Sequence, residues 1–386
     1  MQLKKIQDID EFDSQRVLLR LDLNVPIKNG QVAKGGEERL LRSLPTIKYL
    51  RAQGAKIIIV AHLGRPEGRT VRKYSLRPVA NKLSKMLRAP VEFWPGNISK
   101  YYSASRRLSA GQVVMLENIR FQPKEQKNCK KLAKRLSQLA DIYVNDAFGN
   151  IHRLDSSMHA ITYFLPSYAG FLLQDEVKYL SEVLATRDGL MVILGGAKVS
   201  TKIDLIKKFV QIADRILMGG AIANTLLAAR GLHVGHSVYD TDMVDSAKYL
   251  LFKKVILPQD LVVCNTLNSK QCRTVPVDKV ADKDVIVDLG PQTIKYYLGI
   301  LKKAKLIVWN GPLGYFENSK GARASEILLK SIHKLPGKTI VGGGETVELV
   351  NRLKIKNKFT FVSTGGGAML AFLQGDKLPV LERLII

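Results

Sequence analysis

Three cysteines (Cys129, Cys264 and Cys272) and two tryptophans are all that this chain of 386 residues holds of either type. The cysteine count is odd and contains no C-x-x-C pair, so neither a disulfide framework nor a zinc site is expected. No apolar run approaches the roughly 18 residues of a membrane span. The first residues, Met1-Gln2-Leu3-Lys4-Lys5-Ile6-Gln7-Asp8, lack the apolar centre of a secretion signal. A cytoplasmic protein without a membrane partner is the expectation. Neither G-x-x-x-x-G-K-[ST] nor G-x-G-x-x-G occurs, which removes a Walker loop and a dinucleotide fingerprint as explanations. No repeat period stands out. Acidic residues are scarce: 34 Asp and Glu stand against 60 Lys and Arg, a net charge of +26. Such a balance points to anionic partners, whether phosphorylated metabolites, nucleotides, nucleic acid or a membrane surface, and does not choose among them. Surface lysine also serves plain solubility.

Hydrophobic residues make up 46% of the chain, enough for a sizeable core and too many for bulk disorder. At about 100–200 residues per domain, the length suggests two domains. Short β-branched runs alternate with amphipathic segments. Strands are expected at Val17–Leu23, Ala55–Ala61, Val113–Leu116 and Asp141–Val144, then at Leu190–Leu194, Arg215–Met218, Leu306–Trp309, Thr339–Val341 and Phe359–Val362. Helices are expected between them, from Arg39–Gln53, Leu76–Met86 and Cys129–Leu139 to Ser200–Ala213, Ala221–Arg230, Ser319–Ser331, Thr346–Leu353 and Ala368–Leu373. This βαβα order implies an α/β fold of two doubly wound parallel sheets, each covered on both faces. Pro166-Ser-Tyr-Ala-Gly170 punctuates the middle, and Phe171–Ala185 carries Leu173, Val177, Leu180 and Leu184 at helical spacing. A helix joining domains 1–168 and 169–374 is the simplest reading.

Ligands in open parallel sheets bind beyond the carboxyl ends of strands. In the first half those ends are polar and basic. Asp22 and Asn24, two apart on a strand, would face one ligand. His62-Leu63-Gly64-Arg65 ends the second strand, Arg120 follows the third, and Arg153 follows the fourth, with Arg39 opening the first helix. Guanidinium forks match carboxylate and phosphate oxygens, so a small phosphorylated acid suits the group. Taken singly, each arginine is a solvated charge and His62 a structural histidine; repetition at strand ends argues otherwise. The second half ends its strands in glycine instead: Gly195-Gly196-Ala197-Lys198, Gly219-Gly220, Asn310-Gly311-Pro312, Gly342-Gly343-Gly344-Glu345-Thr346 and Gly365-Gly366-Gly367. Bare backbone lets amides approach a ligand, and helix N-termini attract anions. Lys198 and Lys202 stand four apart, as expected of two lysines on one face of a helix start. A nucleotide cradle is the expectation.

Through these residues the chain closely resembles the phosphoglycerate kinase family over essentially its whole length. The blocks that carry the likeness are Arg20-Leu-Asp-Leu-Asn-Val-Pro26, His62-Leu-Gly-Arg-Pro66, Leu116-Glu-Asn-Ile-Arg-Phe121, Asn145-Asp-Ala-Phe-Gly149, Leu194-Gly-Gly-Ala-Lys198, Trp309-Asn-Gly-Pro-Leu-Gly314 and Ser363-Thr-Gly-Gly-Gly-Ala368, in family order. The resemblance implies a two-domain hinge enzyme of glycolysis, monomeric, that moves a phosphoryl group between 1,3-bisphosphoglycerate and ADP, giving 3-phosphoglycerate and ATP with Mg²⁺. It implies that Asp22, Asn24, Arg39, His62, Leu63, Gly64, Arg65, Arg120 and Arg153 hold the glycerate. It gives Gly196, Ala197, Lys198, Lys202, Gly219, Gly220, Asn310, Pro312, Glu317, Gly343, Gly344, Glu345 and Thr346 to the nucleotide, with Glu345 on the metal. Arg39 and Lys198 would flank the transferred group, assisted by the amides of Gly366 and Gly367, and residues 375–386 would pack back on the first domain.

Three stretches depart from the family pattern. Glu345 stands where relatives usually carry Asp. The longer side chain moves the carboxylate outward against a metal that demands ligands at about 2.0–2.1 Å, and weaker Mg²⁺ coupling or an altered metal preference is expected. In Asn150-Ile-His-Arg-Leu-Asp155, Asp155 either brings a negative charge near an acid pocket or only orients Arg153. Met369 and Ala371 replace the usual Ser and Glu. The basic stretch of Lys127, Lys130, Lys131, Lys134 and Arg135 reads as a solvated helix face. The rival reading is a weakly active or inactive kinase-fold protein that binds nucleic acid or another polyanion. Steep loss of affinity with salt would be its signature, and nucleic acid is not the expected partner.

Overall fold

Five-residue runs without polar punctuation cannot face water on either side. In the computed structural model they form two parallel sheets flanked by helices. The structure describes every residue except Asp13, Lys34, Asn268 and Lys270. The chain divides into two units, Met1–Lys178 with Lys377–Ile386, and Tyr179–Asp376.

The first unit holds strands β1 (Arg16–Leu21), β2 (Ile27–Lys28), β3 (Gln31–Val32), β4 (Lys56–Val60), β5 (Val91–Trp94), β6 (Val113–Leu116), β7 (Ile142–Asp146) and β8 (Ser167–Ala169). Its helices are α1 (Glu37–Ala52), α2 (Arg77–Leu87), α3 (Tyr102–Arg106) and α4 (Lys130–Ser137). The sheet runs β5-β6-β4-β1-β7-β8 with every neighbour pair parallel, while β2 and β3 form a small hairpin. Alternation along β1 puts Val17, Leu19 and Leu21 in one cluster with Leu40 and Leu44 of α1 and Val79 of α2. Leu18 points to the other face, with Leu132 and Leu136 of α4. Arg20 shares the face of Leu18 and is fully buried. From β1 the chain goes to β4 on one side and reaches β7 on the other, so the carboxyl ends of these three strands border a topological switch point.

Helix α5 (Phe171–Ala185), with the bounds its spacing implies, crosses the division between the units. The second unit holds β9 (Leu190–Leu194), β10 (Arg215–Met218), β11 (Val255–Ile256), β12 (Asp260–Cys264), β13 (Cys272–Pro276), β14 (Val285–Leu289), β15 (Leu306–Asn310), β16 (Lys338–Gly342) and β17 (Phe361–Val362). Its helices are α6 (Ile203–Ile212), α7 (Gly220–Ala229), α8 (Val244–Lys248), α9 (Pro291–Leu301), α10 (Arg323–Ile332), α11 (Gly344–Arg352) and α12 (Gly367–Gln374). The parallel sheet runs β11-β10-β9-β15-β16-β17, with its own switch point between β9 and β15.

A third sheet, β13-β12-β14, is antiparallel and lies outside the simple alternation of strands and helices. It also corrects the cysteine expectation. Cys264 and Cys272 are register partners across β12 and β13, with Cα atoms 4.3 Å apart, and form a disulfide; Cys129 is free. An odd count argues against a framework but not against one cross-strand pair, and the strand register that pairs them is invisible in the spacing alone.

The last residues, including α13 (Pro379–Glu382), belong to the first unit. Lys4 N donates to Leu384 O at 2.8 Å and Leu3 bridges Ile385, which ties the two chain ends together. Among the described residues no helix is long and apolar enough to cross a membrane.

Candidate active site

Strand β1 ends at Leu21, short of the expected Leu23, so Asp22 and Asn24 lie in the following loop rather than on one strand face. Local hydrogen bonds hold them instead. Asn24 N donates to Asp22 Oδ1 at 3.4 Å, and Gly64 N donates to Asn24 Oδ1 at 2.9 Å. Asp22 forms an ion pair with Arg39 of α1, whose side chain stays 37% exposed. The Leu63–Gly64 turn is fixed by Asn118, which accepts from Leu63 N and donates to Leu63 O and Tyr74 O.

Arg120 is 3% exposed and donates through Nη1 to Gly64 O at 2.9 Å. Its Nε and Nη2 are buried without a hydrogen-bond acceptor among the described residues. Asp155 is buried and faces Arg120 at 3.7 Å, so Arg120, and not Arg153 as the sequence suggested, is its ion-pair partner. Burial lowers the pKa of His62 well below the usual value, and the charges of Arg20, Arg120, Arg153 and Arg39 lower it further. The same groups thus surround His62, which is neutral. Arg65 is exposed, and no ion pair ties it to the cluster among the described residues. Arg153 is half-buried, with Nε 3.4 Å from His152 Nε2.

In the second unit the loops after β9 and β15 interlock. A Cβ on Gly195 would sit 1.9 Å from Pro312 O, and one on Gly311 (φ +92°) 2.3 Å from Gly195 O, so both positions require glycine. Pro312 O accepts from Gly196 N, and Gly195 N donates to Asn310 O. Lys202 lies buried under these loops, and its ammonium donates to the carbonyls of Gly195 and Asn310. Burial brings its pKa down to about 8, with Glu345 pulling the other way.

Helix α6 begins only at Ile203, so Lys198 and Lys202 precede it and do not share a helix face. Turn formation around the buried Val199 takes those residues, leaving Lys198 exposed while Lys202 points inward. Gly219 and Gly220 open α7, Gly343 and Gly344 open α11, and Gly366 and Gly367 open α12. The first amides of each helix have no intrahelical acceptor and suit an anion. Thr346 is buried and its hydroxyl accepts from Gly311 N at 2.8 Å, which makes it a strut between α11 and the loop after β15.

Beside this cradle lies a cavity of about 230 Å³, bordered by residues expected at the nucleotide site but with an apolar wall that the sequence did not announce. Gly196, Ala197, Gly220, Pro312, Glu317 and Glu345 border it, and Val238, Leu261, Leu267, Ile286, Leu289 and Phe316 supply an apolar wall. A flat apolar ring with a phosphate tail matches that shape and chemistry. The wall residues come from the antiparallel sheet and neighbouring loops, where no motif announces them. Among the described residues no three His, Cys, Asp or Glu side chains gather to hold a cation unaided. Glu345 is exposed at the start of α11, where it borders the cavity together with Glu317 and Asp288.

A family model described as phosphoglycerate kinase matches residues 6–376. The chain is 39% identical to the phosphoglycerate kinase of Pelotomaculum thermopropionicum over 394 aligned positions covering 100% of both proteins. It is also 39% identical to that of Borrelia garinii subsp. bavariensis with the same coverage. Among solved structures, phosphoglycerate kinase from Coxiella burnetii superposes with a TM-score of 0.90 at 35% identity, covering 99% of this chain and 98% of that one. The chain belongs to the phosphoglycerate kinase family.

Proposed function

We propose that this protein transfers the acyl phosphate of 1,3-bisphosphoglycerate to ADP, reversibly, giving 3-phosphoglycerate and ATP. Asp22, Asn24, Arg39, His62, Leu63, Gly64, Arg65, Arg120 and Arg153 hold the glycerate in this reading. Gly196, Ala197, Lys198, Lys202, Gly219, Gly220, Asn310, Pro312, Glu317, Gly343, Gly344, Glu345 and Thr346 form the nucleotide site, Thr346 by bracing it. The observation that carries the glycerate assignment is the pair of buried, unaccepted N–H donors on Arg120 beside a neutral His62. Buried donors left without acceptors are costly unless a ligand takes them.

An acyl phosphate is already activated, and the attacking oxygen of ADP is already anionic, so no strong general base is required. Positioning and charge neutralisation remain for the protein. Lys198 is exposed and unpaired among the described residues, available to an oxygen of the transferred group. Arg39 serves the same group once it leaves Asp22. The amides of Gly366 and Gly367 add two fixed dipoles. A single carboxylate plus substrate phosphates is a donor set that suits Mg²⁺, which keeps much of its water. Bound there through Glu345, the ion would neutralise phosphate charge.

The reading includes a monomeric, cytoplasmic enzyme without a nucleic-acid partner. Isothermal titration should show 3-phosphoglycerate binding that Arg120→Met reduces at least tenfold while ADP binding stays the same. Equal 3-phosphoglycerate affinity of wild type and Arg120→Met would remove the glycerate assignment. Filter binding at about 0.15 M salt should retain no RNA, and sedimentation should give one copy per particle.

A further inference from the structure

Behind His62 runs a buried polar chain that the phosphoryl transfer does not use. Arg20 Nε donates to Ser157 Oγ at 3.1 Å, its Nη1 donates to Leu21 O, and its Nη2 lies 3.1 Å from His62 Nδ1. The Ser157 hydroxyl donates to Glu125 Oε1 at 2.5 Å, and Ser157 N donates to Glu125 Oε2 at 3.2 Å. All four residues are within 1% of complete burial. None of Arg20, Ser157 or Glu125 stands out as a ligand contact in the sequence.

The chain has a direction. A guanidinium carries donors and no acceptor, so the contact with Arg20 requires a lone pair on His62 Nδ1. The ring hydrogen must then sit on Nε2. A second ring proton would set one N–H against another, in a pocket where Arg20, Arg120, Arg153 and Arg39 already disfavour it. On the other side, the Ser157 hydroxyl has one hydrogen. Glu125 accepts it, which leaves the oxygen lone pairs facing Arg20 Nε. Without that acceptor the hydroxyl can turn its hydrogen toward Arg20, and the guanidinium keeps only its bond to Leu21 O to set its orientation toward His62.

We propose that Glu125 and Arg20 are positioning residues: the Glu125–Ser157–Arg20 chain locks His62 as the neutral tautomer with its hydrogen on Nε2, a fixed donor to an anionic oxygen of the acid substrate. This rests on the assignment of His62 to the glycerate site. The charged groups around the chain are consistent with it. Glu125 and Asp155 supply two buried carboxylates to Arg20 and Arg120, and Tyr143 borders Glu125 from β7 with its hydroxyl donated to Ser157 O. Burial, and then Asp155, push the Glu125 carboxyl up to about 7. Protonated or not, it keeps an oxygen that can accept from Ser157.

The test reads the tautomer directly. Nitrogen-15 spectra of the full chain at neutral pH should show His62 with hydrogen on Nε2 alone. Ser157→Ala removes one oxygen atom from the chain. It should produce a mixture of His62 tautomers and weaken 3-phosphoglycerate binding about tenfold, the loss expected for one hydrogen bond to a charged oxygen, with ADP affinity unchanged. Glu125→Gln retains an acceptor and should keep both the tautomer and the affinity, whereas Glu125→Met should behave like Ser157→Ala. A wild-type His62 that is charged or carries its hydrogen on Nδ1 overturns the proposal, as does a single unshifted tautomer in Ser157→Ala. A tautomer that responds while 3-phosphoglycerate affinity does not would remove His62 from the glycerate site, and the positioning role with it.

Discussion

Replacing Lys202 with Met probes the nucleotide cradle through stability. The Lys202 ammonium is 7% exposed and its pKa is held at about 8 by burial, against an ordinary 10.5. Carrying the charge into this place costs the folded protein on the order of 3 kcal/mol at neutral pH. Below pH 8 both the folded and unfolded states are protonated and the cost is complete. Above pH 8 the folded protein releases its proton first, so the cost shrinks until the unfolded chain titrates near 10.5. The Lys202 contribution to stability therefore rises with pH, by about 2 kcal/mol between pH 7 and 9.5.

Met preserves most of the stem and drops the charge. The two lost hydrogen bonds to Gly195 O and Asn310 O offset part of the gain, but without a pH dependence of their own in the variant. Urea unfolding followed through Trp309, which is buried in β15 and bonded to Gly311 O, reports on this unit. Wild type should gain about 2 kcal/mol relative to Lys202→Met over that pH interval. Parallel pH curves for the two proteins would refute the buried ammonium.

Arg39→Ala and Lys198→Ala should each lower turnover by about 10²–10³ with modest changes in KM, measured in a coupled ATP assay; near-normal turnover in both would void their roles. Glu345→Asp should raise Mg²⁺-dependent turnover relative to Mn²⁺ and tighten Mg²⁺ binding in calorimetry with ADP present, and an equal or lower value counts against the metal role. Cys272→Ser should destabilise the second unit by about 2–3 kcal/mol, the loop-closure value for a short loop, and only reduced wild type should take up two extra thiol labels. Gly195→Ala, forced against Pro312 O, should lower the melting temperature and weaken ADP binding while leaving 3-phosphoglycerate binding intact.

Much of the fold is legible because burial on both faces writes itself into composition. Leu190–Leu194 and Arg215–Met218 appear as strands with the bounds their apolar runs imply, and α5 is marked by three leucines and a valine at helical spacing. The antiparallel sheet is not legible. β13 is mostly exposed, and its sequence, Cys272-Arg-Thr-Val-Pro276, reads like loop. At the site, strand-end motifs identify charged residues but not their partners. Asp155 meets Arg120 as a buried pair distant in sequence, a tertiary fact. Lys202 is spaced like a helix-face lysine, yet the turn at Val199 delays α6 and sends the ammonium under the glycine loops. Arg20 left one trace, a charge within an otherwise apolar strand. Glu125 left none.

Phosphoryl transfer by this protein needs both the guanidinium cluster and the glycine-lined cradle. The most direct measurement is ATP formation from 1,3-bisphosphoglycerate and ADP with Mg²⁺ by the purified wild-type chain, alongside Arg120→Met and Lys202→Met. Turnover by wild type, lowered in both variants with the KM defect confined to the acid in one and the nucleotide in the other, is the predicted result. Absence of ATP formation by the wild-type protein, or variants that raise the same KM, would contradict it.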